Sequence, residues 1–190
     1  MKIRRATLAD AGAIAAIYEP YVSNSVVSFE LEPPTADEMR ARIADVGATH
    51  PWLVAEEDGR IAGYVYGSKH RARAAYQWAA DVTAYLHPDF QRQGLGRTLY
   101  NALFALLRAQ GFHSVYAGIT LPNDASVALH RAMGMREIGV YTQVGFKLGA
   151  WRDVLWMGVT LGSGSPAGAP IDFARLDETV VATELARAIG

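Results

Sequence analysis

The stretch that most limits the fold is Asp81–Gly111, DVTAYLHPDFQRQGLGRTLYNALFALLRAQG. It reads as strand, glycine-bearing loop, helix. The strand, Val82–Leu86, is short and partly alternating, and His87-Pro88-Asp89 ends it because proline cannot continue a ladder. Gln91-Arg92-Gln93-Gly94-Leu95-Gly96-Arg97 follows, and then an apolar face through Leu99, Leu103, Leu106 and Leu107, with Gly111 at the C-cap position. The first turn of a helix carries N–H groups without intrahelical partners and a partial positive charge. Gly94 and Gly96 let an anion approach them, and Arg92 and Arg97 add charge at the mouth. This pattern favours phosphate binding over a plain glycine turn. It is not a Walker loop, since no Gly-Lys-Ser/Thr follows, and Leu99 stands where a dinucleotide fingerprint needs its third glycine.

The rest of the composition removes whole classes of chemistry. The 190 residues suit one domain, and a net charge of -1 gives no global pull toward nucleic acid or an anionic membrane. There is no cysteine, so disulfides, thiolate metal sites and a cysteine-bound acyl intermediate are excluded. The five histidines are scattered, and no metal site is expected. No run approaches a membrane span, and the charged start Met1–Arg5 leads into no apolar signal segment, so a cytoplasmic location is expected.

In chain order, Ile3–Ala6 reads as a strand and Ala11–Tyr18 as a helix that Pro20 stops. Thr35-Ala36-Asp37-Glu38 has the capping-box pattern and opens a helix to about Val46. Trp52–Glu56 and Ile61–Gly67 form a hairpin around Asp58-Gly59. Lys69, Arg71 and Arg73 alternate, so an extended chain points all three one way, either as a solvated basic edge or as an anion clamp. Trp78–Leu86 continues as a strand. Ser114–Ile119 is a strand, Val127–Met133 a helix, and Gly139–Phe146 and Trp151–Leu161 the last strands. The expected fold class is α/β with a mixed sheet. A domain is expected over 1–161, a flexible linker over 162–170 by its glycine, serine and proline content, and a C-terminal appendage over 171–190 that either docks or frays.

The loop Gln91-Arg92-Gln93-Gly94-Leu95-Gly96 resembles the Q/R-x-x-G-x-G/A loop of the GNAT N-acetyltransferase superfamily. Further segments extend the resemblance over roughly residues 2 to 161: Ala75-Tyr76-Gln77-Trp78, Ile119–Asp124 followed by His130 seven residues after Asn123, Val144–Gly149 and Trp151–Val154. In combination they resemble the phosphinothricin N-acetyltransferases and their methionine sulfoximine and arsinothricin acetylating relatives.

The resemblance implies a GNAT fold, a mixed and mostly antiparallel sheet flanked by helices, with acetyl-coenzyme A as co-substrate. It implies that the backbone of Ala84, Tyr85 and Leu86 borders the pantetheine arm, that Gln91, Arg92, Gln93, Gly94, Leu95, Gly96 and Arg97 hold the pyrophosphate, and that Asn123 and Ser126 meet the pantetheine. Phe29, Arg71, Arg73, Tyr76 and Val154 match positions lining the amino-acid site. Asp81 holds the place of the family's glutamate base, one methylene shorter, and His130 matches a histidine assigned to proton transfer.

The implied reaction is transfer of acetyl to the α-amine of a small, anionic, glutamate-like analogue by a homodimeric enzyme. Asp81 paired to Arg73 as an ordinary surface carboxylate, and His130 as a plain helix residue, are the structural alternatives. A non-catalytic acyl-coenzyme A sensor, or acetylation of another small amine or a protein N-terminus, are the functional ones.

Overall fold

The computed structural model describes residues 1–189. Seven strands form one sheet: β1 (Lys2–Arg5), β2 (Trp52–Glu57), β3 (Arg60–Lys69), β4 (Ala79–Leu86), β5 (Ser114–Thr120), β6 (Arg136–Lys147) and β7 (Ala150–Thr160). Their order is β1-β2-β3-β4-β5-β7-β6, antiparallel throughout except for β4 with β5. That parallel pair joins only Ala79 to Ser114, Ala80 to Val115 and Asp81 to Tyr116. Beyond it the two strands part. This is the mixed sheet that the alternation of elements implied, and the mostly antiparallel one that the family resemblance implied.

Five helices cover the sheet: α1 (Ala11–Ser23), α2 (Ala36–Thr49), α3 (Leu95–Gln110), α4 (Asp124–Ala132) and α5 (Glu178–Ile189). Period-two alternation divides each central strand between two cores. On β2, Leu53 and Ala55 join Leu99, Leu103, Leu106 and Leu107 of α3. Trp52 and Val54 turn the other way, to Ile14, Ile17 and Val22 of α1 and Met39 and Ile43 of α2. Burying each such side chain is worth about 1.5–3 kcal/mol, so α3 is held by its apolar stripe far more than by helix propensity. The Thr35–Glu38 capping box opens α2: Glu38 N donates to Thr35 Oγ1 at 3.2 Å and Thr35 N donates to the Glu38 carboxylate at 2.7 Å.

Two local expectations are corrected. Helix α1 runs through Pro20 to Ser23, where Asn24 N closes it on the Pro20 carbonyl at 3.0 Å. Tertiary contacts outweigh the proline. Val22 is buried, and the Tyr21 hydroxyl donates to the Leu86 carbonyl at 2.6 Å. The basic stretch is not extended either. Strand β3 ends at Lys69, opposite Ala80, and the chain then turns through a 3-10 turn at Ala74–Tyr76 to enter β4. Lys69, Arg71 and Arg73 therefore share no face.

Residues 171–189 pack on the domain. Phe173, Leu176 and Val181 are buried among the α3-side core, and the Arg5 guanidinium lies 4.1 Å from the Phe173 ring centre. Gln110, buried at the end of α3, donates to the Ile171 carbonyl at 2.6 Å. Phe173→Ala is expected to lower the unfolding free energy by about 3–5 kcal/mol, the cost of an aromatic-sized cavity, read from urea midpoints.

His50 is buried close by, its ring centre 5.1 Å from that of Phe112 at a tilt of 36°. Burial pushes its pKa down to about 4, against a weaker opposing pull from Asp172. The unfolded chain takes up that proton near pH 6.5 and the folded chain does not. Stability is thus present above pH 6.5 and is lost as pH falls toward 4, by on the order of 3 kcal/mol. Urea unfolding at pH 7 and pH 4.5 should show the loss, and His50→Phe should flatten it.

Candidate active site

The junction of β4 and α3 builds an anion-binding end. Gly94 is the N-cap of α3 and has φ +82°, a conformation that side-chain-bearing residues rarely adopt. The amides of Arg97 and Thr98 bond the Gly94 carbonyl at 3.0 and 3.2 Å, which leaves the amides ahead of them pointing out of the helix. Gly96 is buried under α4, where a Cβ would come within 3.0 Å of Leu129. Arg92, held at φ +60°, and Arg97 are exposed, and among the described residues neither side chain makes a hydrogen bond or ion pair. The other two polar loop residues are tied down: Gln93 donates to the Asp89 carbonyl at 3.0 Å and Gln91 to the Tyr21 hydroxyl at 3.0 Å.

A cavity of about 440 Å³ runs from this loop into the gap where β4 leaves β5. Ala84 and Leu86 line one wall, Asn123, Ser126 and His130 the other, and Arg92, Gly94 and Arg97 the mouth. Tyr85 alternates to the opposite face, its ring 4.8 Å from that of Tyr18, and is not among the residues that line the cavity. A cationic mouth with free amides, an apolar middle and an unpaired strand edge suit a molecule with a pyrophosphate at one end and an amide-bearing arm. Coenzyme A has that form.

On the α4 wall, Asn123 is the N-cap and accepts from Ser126 N at 3.2 Å. His130 is buried one turn on, and its Nδ1–H donates to the Ser126 carbonyl at 2.7 Å. A carbonyl only accepts, so this bond leaves the Nε2 lone pair to accept from the Tyr100 hydroxyl at 3.0 Å. Burial lowers the His130 pKa, with the Ser126 bond a smaller opposing effect. His130 is accordingly a neutral imidazole with its basic nitrogen engaged.

A second cluster sits where β4 and β5 last pair. Asp81 is the last residue of β4 paired with β5, and its Oδ1 lies 2.6 Å from Nδ1 of His70. The partner is His70, not Arg73. Burial raises the Asp81 pKa, while the His70 hydrogen bond and charge, and then Arg71, pull it down. The His70 ring stacks on Tyr116 at 4.7 Å, with Tyr76 at 5.9 Å and Trp156 at 6.2 Å edge-on. The Arg71 guanidinium lies 5.7 Å from the Trp156 ring centre. Val154 shares the face of Trp156 on β7. Arg73 is exposed and stands apart, its backbone capping the 3-10 turn.

Phe29 comes from the loop after α1, and its ring lies against Gly145 of β6, where any side chain would collide with it. Lys147 anchors that loop. It is buried and donates from Nζ to the carbonyls of Val22, Ser28 and Glu30 at 2.6, 2.7 and 2.8 Å. Burial lowers its pKa, partly offset by the Glu30 charge. Glu30 is in turn held by Arg42 in a fork at 2.6 and 2.8 Å and by the Tyr18 hydroxyl at 2.9 Å. Among the described residues no group of three or more His, Asp or Glu side chains is placed to hold a metal, and no helix is long and apolar enough to cross a membrane.

This fold and this gap define a class. Residues 3–156 match the acetyltransferase (GNAT) domain family. The chain is 44% identical over 154 residues to a phosphinothricin N-acetyltransferase of Streptomyces viridochromogenes, covering 81% of this chain and 84% of the relative. It is 35% identical over 162 residues to an L-methionine sulfoximine/L-methionine sulfone acetyltransferase of Pseudomonas aeruginosa, covering 84% and 94%. A phosphinothricin acetyltransferase from Sinorhizobium meliloti, crystallised with acetyl-coenzyme A, superposes with a TM-score of 0.83 at 35% identity, covering 90% of this chain and 92% of that one. The chain belongs to the GNAT family and is an acetyl-coenzyme A-dependent N-acetyltransferase.

Sequence reasoning passed over three residues that the fold brings to the site. Tyr21 links α1 to both Leu86 and Gln91, and Tyr100 engages His130. Such contacts across distant elements leave no local signal. His70 had one, a histidine inside Lys69-His70-Arg71, but attention to the alternating cations skipped it. Lys147→Met should cost about 2–4 kcal/mol, because three carbonyls lose their donor, and urea unfolding should register it.

Proposed function

We propose that the enzyme acetylates the α-amine of a small anionic amino-acid analogue of glutamate-like shape, with phosphinothricin, methionine sulfoximine and arsinothricin as candidates. The observation that carries this is the pairing of two features along β4: the cationic loop with free amides at Gly94–Arg97 that follows its C-terminal end, and the Asp81, His70, Tyr76 and Arg71 cluster at its last pair with β5. The names of two relatives quoted above, phosphinothricin and methionine sulfoximine acetyltransferases, support the acceptor class.

In this reading Gln91–Arg97 hold the pyrophosphate, with Tyr21 fixing Gln91, and Ala84–Leu86 pair with the pantetheine along the open strand edge. Asn123 and Ser126 line its other side. Phe29, Tyr76 and Val154 border the acceptor, and Arg71, with Arg73 beside the entrance, answers its carboxylate. The acceptor's proton leaves toward Asp81, a general-base contribution of about 10²–10⁴-fold. His130 serves the proton traffic at the thioester end, where it is neutral and hydrogen-bonded to Tyr100. Transfer is direct, within a ternary complex, since the chain has no cysteine to carry the acetyl group. N-acetylation removes the ammonium group of a toxic analogue, which is a detoxification. A second copy of the chain covers the exposed apolar residues Ile138, Val140, Val144 and Phe146 of β6, giving a homodimer.

Thiol release from acetyl-coenzyme A tests the reading, with phosphinothricin, methionine sulfoximine, arsinothricin, methionine, glutamate and spermidine as acceptors. Turnover is expected with at least one glutamate-like analogue and none with spermidine. Arg71→Ala should raise the KM of the analogue about tenfold, the loss of one charge-assisted contact of roughly 1.4 kcal/mol. Silence with every amine, while acetyl-coenzyme A still binds, would favour a sensor.

A further inference from the structure

We propose that His70 is the proton acceptor for the substrate amine, and that Asp81 acts through it as a positioning residue. This rests on the acetyl-transfer reading above and changes which atom does the chemistry. His70 carries no role in the resemblance set out above, which gives the base to the position of Asp81.

The geometry is that of an oriented imidazole. Asp81 sits at the last β4–β5 pair, at the entrance to the gap, and its Oδ1 lies 2.6 Å from His70 Nδ1. A carboxylate at that distance holds the proton on Nδ1, which leaves the lone pair on Nε2. Among the described residues Nε2 has no hydrogen-bond partner, and it is not among the buried polar atoms that lack one, so it reaches solvent. The ring is fixed by stacking on Tyr116 at 4.7 Å and by the edges of Tyr76 and Trp156. An acid–base group clamped on one nitrogen and free on the other is poised for a proton. His130, by contrast, has both nitrogens engaged.

The shorter carboxylate makes sense of this. Aspartate reaches one methylene less far than glutamate, and the imidazole carries the basic atom beyond it. The neighbouring residue completes the recognition. Arg71 follows His70 directly, donates to the His70 carbonyl at 2.9 Å and lies over Trp156, the ring that also edges His70. Adjacent cation and base match the adjacent carboxylate and amine of an α-amino acid.

In the reaction the substrate ammonium gives one proton to His70 Nε2, and the imidazolium that forms is stabilised by the Asp81 carboxylate. The freed nitrogen pair forms the C–N bond at the thioester carbonyl carbon. As the carbonyl re-forms, the C–S bond breaks with its electron pair on sulfur, and the second proton of the nitrogen ends on that sulfur as the coenzyme A thiol. His70 then returns its proton to solvent through the same exposed nitrogen. The products are the N-acetyl amino acid, the thiol and one proton.

The test compares His70→Ala, His70→Asn and Asp81→Asn with the wild type, in the thiol-release assay and in acetyl-coenzyme A binding. Asn at position 70 keeps an amide donor toward Asp81 and has no base, so it separates structure from chemistry. Both His70 variants are expected to lose kcat by about 10²-fold or more, with acetyl-coenzyme A affinity within threefold. Added imidazole should restore a part of kcat to His70→Ala, in proportion to its free-base concentration. Asp81→Asn should lose less and gain nothing from imidazole, and the double variant with His70→Ala should be no slower than His70→Ala alone. Two results would overturn the proposal: either His70 variant keeping kcat within threefold, or a lost kcat in His70→Ala that imidazole does not raise. A wild type that binds acetyl-coenzyme A and acetylates no amine overturns the functional reading itself and this inference with it, a result distinct from active wild type with active variants.

Discussion

Strands β4 and β5 pair over three residues and then separate, and most of the functional architecture depends on that separation. A strand that loses its neighbour mid-sheet leaves backbone donors and acceptors unpaired, which a buried position cannot tolerate without partners. Part of the debt is met inside the chain, where the Tyr21 hydroxyl donates to the Leu86 carbonyl. The remainder of the open edge faces the cavity, where an amide-bearing arm can pair with it as a further strand would. The helix dipole and free amides of α3 sit at one end of the same opening, so the fold places anion recognition and backbone recognition in line.

The acceptor side is held by a different device. Phe29 lies on a loop with little regular structure, which a small domain would ordinarily leave mobile. Here a buried lysine from the far edge of the sheet binds three of that region's carbonyls, and Glu30 binds Arg42 of α2 and Tyr18 of α1. Burying a cation costs several kcal/mol unless it is fully hydrogen-bonded, and Lys147 satisfies all three of its donors. The loop, α1, α2 and the β6–β7 hairpin become one body. A wall built on such a body has the rigidity that the proposed positioning of an amine against a thioester requires.

Much of this was legible in the sequence where the signal was local. The glycine loop and the α3 stripe, the capping box at Thr35 and the hairpin at Asp58-Gly59 each follow from residues a few positions apart, and the structure has all of them. What failed was local inference against tertiary forces. Pro20 predicted a helix end, yet α1 continues because Val22 is buried and Tyr21 is anchored. Alternating cations at 69, 71 and 73 predicted one basic face, yet the ladder ends at Lys69 and the chain must turn to enter β4. The sequence leaves the tail open between docking and fraying, and what decides it, the burial of Phe173 and Leu176 against the α3-side core with the Arg5 guanidinium over Phe173, lies in distant residues. The Lys147 anchor spans more than a hundred residues, and no window of sequence contains it.

The two histidines at the gap show why residue type alone does not assign a role. His130 has both nitrogens engaged, one by a carbonyl of its own helix and one by a buried tyrosine hydroxyl. Burial favours its neutral form, so any proton it passes moves through the bonds it already makes to Tyr100 and Ser126. His70 has one nitrogen on a carboxylate that welcomes the imidazolium and the other on the open side. The difference lies in what each ring's partners can accept, and it is set by strand register: Asp81 is the residue at which β4 meets β5 for the last time. A carboxylate one residue further along β4 would point to the opposite face, into the α3-side core with Ala80 and Val82, and the imidazole would lose its anchor. The same pairing beyond which the cavity opens therefore also fixes the carboxylate that holds the imidazole.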